Sequence, residues 1–392
     1  MSTVAADAVQ DSADASSLTL RPAIAGSATA APAKPHGSDR LLGLDLMRGY
    51  FVLVLASIHL DYTPSLLGYI DGRGRLWVSE AEGFFLISGL LVAMMRRRDM
   101  ERDGLGTATR RSWARALKLY LLAGGLTLLY TALGRAAGAL GWSGAKPGLD
   151  DGSSWGRVLY NTATLHYVYG WTDFLTFYAP LFVVAPLLVW LMSHRMTWLV
   201  VLVSVGLYAS MSWRPQLWGA AGAFLQWQVH FVLGAAIGYH LPELRTRFAA
   251  LRTLARRSLA IAALIGASAL YAAGMITLWM PSVRPTGAWY ELLIFDSRLG
   301  LLRPVFALVM FAGGCVLLAA LRRPIMATIG PVLTLFGRNS LYVYVVQSAL
   351  VFAVPFVTGS HGLLFDTALD LALIALVWLC LRRRFLFRVI PR

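Results

Sequence analysis

Two residues that could exchange protons lie near the ends of two successive apolar segments. His59 ends the segment 41–60, and Glu82 lies near the start of the segment 77–95. If the first segment crosses a membrane outward and the second returns, both side chains lie near the outer face. An imidazole accepts and returns protons near neutral pH, and an adjacent carboxylate fixes its tautomer. We therefore predict that His59 is a general base and that Glu82 orients it or relays its proton.

A second group of polar residues lies at the opposite depth. Asp45 and Arg48 come shortly after the start of the first segment, and Arg338 and Ser340 lie in the inner half of a later one. An ionised side chain inside a bilayer costs at least ~2.5–3.5 kcal/mol, so each one needs a reason. Arginine offers a planar fork of donors that fits phosphate. These four residues are predicted to bind an anionic ligand, and an internal Asp45–Arg48 pair is the structural alternative.

A third group, of aromatic and polar residues, lies near the outer face. Aromatic rings with nearby amides and carboxylates suit sugars, but Tyr and Trp at this depth also form the interfacial belt of membrane proteins. His230 lies in an apolar segment, where a structural and a catalytic role are both open. The predicted sugar-binding residues are Tyr167, Asp173, Tyr178, Trp227, Gln228 and Arg303.

The composition indicates that lipid surrounds most of this chain. Of its 392 residues, 57% are hydrophobic and only 14% are charged, and the mean hydropathy is +0.62. A soluble domain has about 25% charged residues. The net charge of +15 does not indicate nucleic-acid binding, because the cations lie in short loops between apolar segments. Cys315 and Cys380 lie inside apolar segments, so neither a disulfide nor a metal site is expected.

The pattern predicts an all-α fold, a polytopic bundle of about ten transmembrane helices. Each apolar segment can cross about 30 Å at 1.5 Å per residue. Three regions are predicted: a disordered cytoplasmic tail at residues 1–39, a membrane domain at 40–384, and a basic cytoplasmic tail at 385–392. The predicted spans are 41–60, 77–95, 115–139, 172–193, 197–212, 220–240, 258–280, 301–321, 332–356 and 364–382.

Arginine and lysine fall mainly in alternate loops, and this asymmetry sets the orientation. Clusters such as residues 96–98 and 382–384 lie on the same side as the N-terminal tail, whereas the loops on the other side carry few cations. Cytoplasmic loops are enriched in these residues. Both termini are therefore predicted to be cytoplasmic, in a multi-pass protein of the cell inner (plasma) membrane.

Six short motifs, in order, resemble those of the OpgC-type membrane acyltransferases. These enzymes belong to a broader acyltransferase-3-like group that also resembles the lysosomal heparan acetyltransferase. Each motif is weak alone, but their order and the topology match from Arg40 to about Gln347. The residues that carry the resemblance are Asp45, Arg48, Gly49, His59, Glu82, Ser88, Gly89, Leu165, Tyr167, Asp173, Tyr178, Pro186, Trp227, Gln228, Phe231, Gly234, Leu299, Gly300, Arg303, Gly337, Arg338 and Ser340.

The resemblance implies acyl transfer from a cytoplasmic acyl-CoA to a hydroxyl group of an extracytoplasmic glycan. Succinylation of osmoregulated periplasmic glucans is the best-known case. Acyl-CoA, with succinyl-CoA as one candidate, is then a co-substrate, and no bound cofactor is implied. The expected partners are membrane lipid, acyl-CoA and a cell-envelope glycan. Arg48 and Arg338 would meet the CoA phosphates, while His59 would meet the sugar hydroxyl.

A transporter or flippase for a glycan or lipid-linked precursor is the main alternative, because buried ionisable residues also mark transport paths. Many transporters contain two-fold internal repeats, and the two halves of this chain show no convincing repeat. A purely structural membrane subunit would leave the charged residues at two matched depths unexplained.

Overall fold

The computed structural model describes residues 39–142, 153–213, 222–293, 300–387 and 390. Within these ranges the regular structure is entirely helical, which confirms the all-α prediction. The predicted N-terminal tail, and most of residues 388–392 at the other end, lie outside the described residues.

Fifteen α-helices follow one another along the described chain. Those of the first half are α1 (Asp39–Leu60), α2 (Gly68–Asp71), α3 (Glu80–Ala139), α4 (Trp155–Ala163), α5 (Asp173–Ser193), α6 (Thr197–Trp213), α7 (Gly222–Tyr239) and α8 (Leu241–Ala250). Those of the second half are α9 (Thr253–Trp279), α10 (Ala288–Leu293), α11 (Arg303–Ala320), α12 (Arg322–Ala327), α13 (Gly330–Arg338), α14 (Ser340–Ala353) and α15 (Leu363–Arg382).

Six of the described helices are long and apolar enough to cross a membrane, so the chain is a multi-pass membrane protein. A bent pair, α13 with α14, would make a seventh span if it crosses as one unit. The predicted span 197–212 corresponds to a shorter apolar helix, Thr197–Met211. The number of crossings, predicted as about ten, and the cytoplasmic placement of both termini stay predictions.

The long helix α3 is in fact two helices that meet at a sharp bend. It has 60 residues, and Gly104 has φ 83° and ψ 166°, which is not helical. This positive φ is accessible to glycine because it has no Cβ. Arg111 contacts Asp99, 12 residues away, whereas a straight helix would separate them by about 18 Å. The predicted spans 77–95 and 115–139 therefore lie in two halves that fold back on each other, joined by helix where a loop was predicted.

The predicted ninth span is wrong as a single straight helix. Residues 332–356 belong to α13 and α14, whose axes differ by 93° at Asn339. The bend comes directly between Arg338 and Ser340, so that these two neighbours lie on different helices. It separates two residues that the sequence pattern had placed in the inner half of one helix.

Glycines allow α1 to pack very closely against α13. A Cβ added at Gly49 would lie 1.9 Å from the carbonyl oxygen of Leu333, and one at Gly337 would lie 1.8 Å from that of Asp45. Small residues permit such close approach of membrane helices. The crossing fixes the position of the second polar group, because Asp45 and Gly337 are themselves in contact there.

We predict that Gly337→Ala separates α1 from α13 and lowers the free energy of unfolding by roughly 1–3 kcal/mol, the usual cost of overpacking. Gly43→Ala on α1 is the matched control, because a Cβ there meets nothing within 4 Å. Equilibrium unfolding in mixed micelles measures both. Equal stability of the two variants would contradict the close approach.

Candidate active site

Glu82, at the start of α3, forms a buried ion pair with Arg303, at the start of α11. Arg303 Nε donates to Glu82 Oε1 over 2.7 Å, and Nη2 contacts the same oxygen. Glu82 Oε2 accepts hydrogen bonds from the backbone N–H of Ser79, at 2.9 Å, and from its hydroxyl group. The Glu82 side chain is 0% exposed. The carboxylate therefore links α3 to α11 and caps the first turn of α3. The Ser79-x-x-Glu82 spacing is a capping-box signature, and this signal was missed in the sequence.

The contact predicted between His59 and Glu82 is not found. Among the described residues, His59 Nδ1 has no hydrogen-bond partner, while both oxygens of Glu82 are occupied. The centroid of the His59 ring lies 6.4 Å from that of Trp171 and 6.3 Å from that of Tyr344. Depth along a helix does not fix the direction in which a side chain points, and the cation on α11 determines the direction of Glu82.

A cavity of about 490 Å³ lies between α1, both halves of α3, α5 and α14. This volume is within the usual range of small-molecule sites, about 300–1,000 Å³. Among the described residues that line it there is no carboxylate. Five of them are cationic, namely Arg48, Arg96, Arg111, Arg115 and Lys118. Asp99 pairs with Arg96 and Arg111, and Asp103 pairs with Arg111, but neither aspartate is part of the wall. The lining is therefore cationic and suits a ligand that carries negative charge.

Four of these cations come from the bend of α3, on the side that the charge pattern predicts to be cytoplasmic. Arg111, Arg115 and Lys118 follow one another at intervals of four and three residues. That spacing places them on one face of a helix. The sequence interpretation used these residues only to orient the chain, although their helical spacing was a signal for a common surface.

Arg48 and Arg338 have different bonded partners. Arg48 lies on the cavity wall, and its Nη2 donates to the hydroxyl group of Ser340. Arg338 is 62% exposed, and its Nε bonds Asp45 at 3.2 Å. Asp45 therefore has Arg338 as its bonded partner, and the joint binding of an anion by Arg48 and Arg338 stays a prediction. The bend after Arg338 directs Ser340 to the cavity, while Arg338 is not part of its wall.

The other end of the cavity is apolar and comes close to His59. Leu55, Phe84 and Tyr344 line this part of the wall. Leu55 precedes His59 by one helical turn on α1, and the Tyr344 ring lies edge-on to the imidazole. His59 is not itself part of the wall. The cavity thus runs from a cationic end to an apolar end that lies one helical turn from the histidine.

Most of the predicted sugar-binding residues have partners inside the protein. The Tyr167 hydroxyl group bonds Thr131 at 2.7 Å, and the Gln228 side chain bonds Ser204 on α6. Asp173 Oδ1 accepts a hydrogen bond from the backbone N–H of Phe174, and Arg303 pairs with Glu82. Tyr178 lines the cavity and bonds Ser88, while the ring of Trp227 stacks on that of Phe85. Their role in binding sugar stays a prediction.

His230 on α7 is fully buried, and neither ring nitrogen has a hydrogen-bond partner among the described residues. Its ring centroid lies 6.2 Å from that of Trp227 and 6.3 Å from that of Tyr208. It does not line the cavity, so it contributes no group to the candidate site. In the described part of the chain, no three His, Cys, Asp or Glu residues are grouped to hold a metal ion.

A family model described as OpgC protein matches residues 40–387. The match runs from the second residue of α1 past the end of α15, and so includes every residue of the candidate site. Comparisons with the curated proteins and with the solved structures found no match.

We predict that Glu82→Gln and Arg303→Met each lower the free energy of unfolding by about 3–5 kcal/mol, because each leaves a buried charge without its counterion. The double variant should lose clearly less than the sum of the two, measured by equilibrium unfolding in mixed micelles. Asp61→Asn is the control: Asp61 pairs with Arg73 but is 64% exposed, and exposed pairs contribute about 1 kcal/mol or less. Strictly additive losses would show that the two side chains are not coupled.

Proposed function

This chain belongs to the OpgC family, and we propose that it is an integral membrane O-acyltransferase. It moves an acyl group from acyl-CoA to a hydroxyl group of an extracytoplasmic glycan, as in the modification of periplasmic glucans. The acyl group is one that CoA carries, with succinyl as the leading candidate. We place the enzyme in the inner (plasma) membrane, where the donor and the acceptor lie on opposite sides.

One observation supports this proposal above the others, namely the shape and charge of the cavity. Its cationic end, on the predicted cytoplasmic side, suits the phosphate groups of CoA, because arginine binds phosphate through paired charge-assisted hydrogen bonds. Its apolar end suits the uncharged arm and the thioester. Arg48 and His59 are 11 residues apart on α1, about 16 Å along the axis. A long, flexible arm can therefore reach the histidine while its phosphates stay at the arginines.

Within this proposal, two of the four residues predicted for the donor bind it directly. Arg48 and Ser340 lie at the cavity and form one bonded pair. Asp45 and Arg338 act on the donor site indirectly, because their ion pair joins α1 to the end of α13, next to the bend that positions Ser340.

The chemistry assigned to His59 is general base catalysis. Its ring accepts the proton of the acceptor hydroxyl group while that oxygen attacks the thioester carbonyl carbon. The carbon–sulfur bond then breaks, and the CoA thiolate takes the proton from the imidazolium ring. The products are an O-acyl ester and free CoA, and no covalent acyl-enzyme is needed. Glu82 takes no part in proton transfer, because its carboxylate is already bound to Arg303 and Ser79.

The experiment uses the full chain, purified and placed in lipid nanodiscs, with radiolabelled succinyl-CoA or acetyl-CoA and linear glucan oligosaccharides. Label should appear on the glucan as an alkali-labile ester, identified by mass spectrometry. Proteoliposomes that move the glucan across the membrane without any esterification would instead identify a transporter.

We predict that His59→Ala reduces the turnover number by about 10²–10⁴-fold, the usual contribution of a general base. Binding of acyl-CoA should change little, because His59 lies beyond the cavity wall. Initial rates and equilibrium binding separate the two quantities, and size-exclusion chromatography in detergent checks folding. A folded His59→Ala protein with full activity would remove the mechanism.

We also predict that the double variant Arg115→Gln/Lys118→Gln weakens acyl-CoA binding roughly tenfold or more, since a hydrogen bond to a charged group contributes about 1.5–3 kcal/mol. The weakening should shrink as the salt concentration rises, because salt screens exposed charges. Arg247→Gln is the control: Arg247 is an exposed cation of α8 and does not line the cavity. An equal loss in the control would indicate a general effect of surface charge.

A further inference from the structure

Gln347 is a buried amide that has no partner. It lies on α14 and is 0% exposed, and neither its amide nitrogen nor its amide oxygen has a hydrogen-bond partner among the described residues. Leaving a buried polar group unpaired costs about 1–3 kcal/mol. Native structures contain few such groups, and strain or a catalytic role is a common reason for one. Neither the sequence motifs nor the mechanism given above uses Gln347.

The helix that carries Gln347 also carries the aromatic neighbour of His59. Tyr344 precedes Gln347 by three residues, so the two side chains lie on the same side of α14. The ring of Tyr344 is 6.3 Å from that of His59, in an edge-on arrangement. The side of α14 that carries Gln347 therefore faces the end of α1 where His59 lies.

The helices that carry Gln347 and His59 pack against each other. One buried cluster contains residues that flank each of them, namely Ala56 and Leu60 from α1 with Val343 and Val346 from α14. His59 Nδ1 is also buried without a hydrogen-bond partner among the described residues. Two unpaired polar groups, one a potential N–H donor and the other an acceptor, thus occupy one stretch of the same helix contact.

Most titratable side chains on the elements packed round His59 have at least one partner, whereas Glu80 at the start of α3 has a buried carboxylate oxygen, Oε2, without one. The Tyr344 hydroxyl group donates to the carbonyl oxygen of Trp171, and Asp173, two residues further along, accepts from the N–H of Phe174. On α15, Asp370 accepts from the hydroxyl groups of Ser57 and Ser65. On α3, Glu82 is bound to Arg303. Gln347 differs from these groups in that both of its amide atoms are buried without a partner among the described residues.

We propose that Gln347 is a positioning residue for His59, an inference that rests on the proposed acyl transfer. Its amide oxygen accepts the Nδ1–H of His59 in the working enzyme, which leaves Nε2 unprotonated and directed at the acceptor hydroxyl group. An amide fills the same place beside the histidine of papain-like proteases. A neutral amide also suits this depth, because it avoids the cost of a second ionised group in the membrane.

Two substitutions at Gln347 test the inference. Gln347→Met keeps the volume and removes the acceptor, so the turnover number should fall roughly 10- to 100-fold, as when an orienting partner is lost, with little change in KM. Gln347→Glu places a carboxylate beside the ring, which favours the imidazolium form. The acidic limb of the pH–rate profile should then move to higher pH by about one unit or more.

Asp71→Asn is the control for the pH profile. Burial raises the pKa of Asp71, which lies on α2 outside the membrane spans, to about 6. A limb of the profile that disappears in Asp71→Asn therefore belongs to Asp71 and not to His59. Thermal melting and size-exclusion chromatography of each variant establish that it folds.

A second readout does not depend on activity. Diethyl pyrocarbonate modifies unprotonated histidine, and mass spectrometry follows its reaction at His59 as the pH varies. A higher pH midpoint in Gln347→Glu supports the contact even if no acyl transfer is found, in which case only the proposed function fails. If the wild type is active while folded variants keep their turnover number, pH profile and modification midpoint, the inference is overturned. A KM effect alone would also overturn it, because it would assign Gln347 to binding.

Discussion

The cost of an ionised group in hydrocarbon constrains this protein more than any other interaction. A charge placed among lipid tails must find a counterion or several hydrogen bonds within the protein. The Glu82–Arg303 pair shows the result most clearly, since it joins the first turns of α3 and α11 with both side chains buried. Asp370 is satisfied differently, by two hydroxyl groups that reach it from α1 and the following loop. Such links hold helices in one relative position, which apolar packing alone does not specify.

Some cations of the chain join helices through carboxylates, others face the cavity, and Arg96 and Arg111 do both. Arg97 belongs to the first kind, since it forms two hydrogen bonds with Glu243 and so holds the start of α8 against α3. Arg48 belongs to the second, with a serine hydroxyl group as its bonded partner and no carboxylate on the cavity wall in the described part of the chain. Asp99 and Asp103 offset part of the charge of the lining by pairing with Arg96 and Arg111, and a polyanionic ligand would offset more of it.

Two breaks in helical structure shape the cavity. The bend at Gly104 folds α3 back on itself, so that both of its halves line the cavity. The second half carries the row of basic residues Arg111, Arg115 and Lys118. The 93° turn between α13 and α14 directs Ser340 and Tyr344 to the same space. Close packing through Gly49 and Gly337 then holds α1, which carries both Arg48 and His59, against α13.

The sequence by itself determined the membrane class, the all-α fold and the family, because long apolar segments and ordered motifs are local features of the chain. It also identified the residues that need explanation, since any charge in an apolar segment is visible without a structure. Only the tertiary structure decided which of them meet. The depth of a residue can be counted along a helix, but the direction of its side chain and the position of a sharp turn cannot be read in this way. Glu82 was therefore predicted to contact His59, whereas in the structure it bonds Arg303. Arg338 was predicted to bind phosphate together with Arg48, but it comes just before the turn at Asn339 and is not part of the cavity wall. The helical spacing of the basic row of α3 is visible in the sequence, but the cavity that the row lines is not. The buried amide of Gln347 has no local signature at all, and its importance follows from what the fold brings next to it.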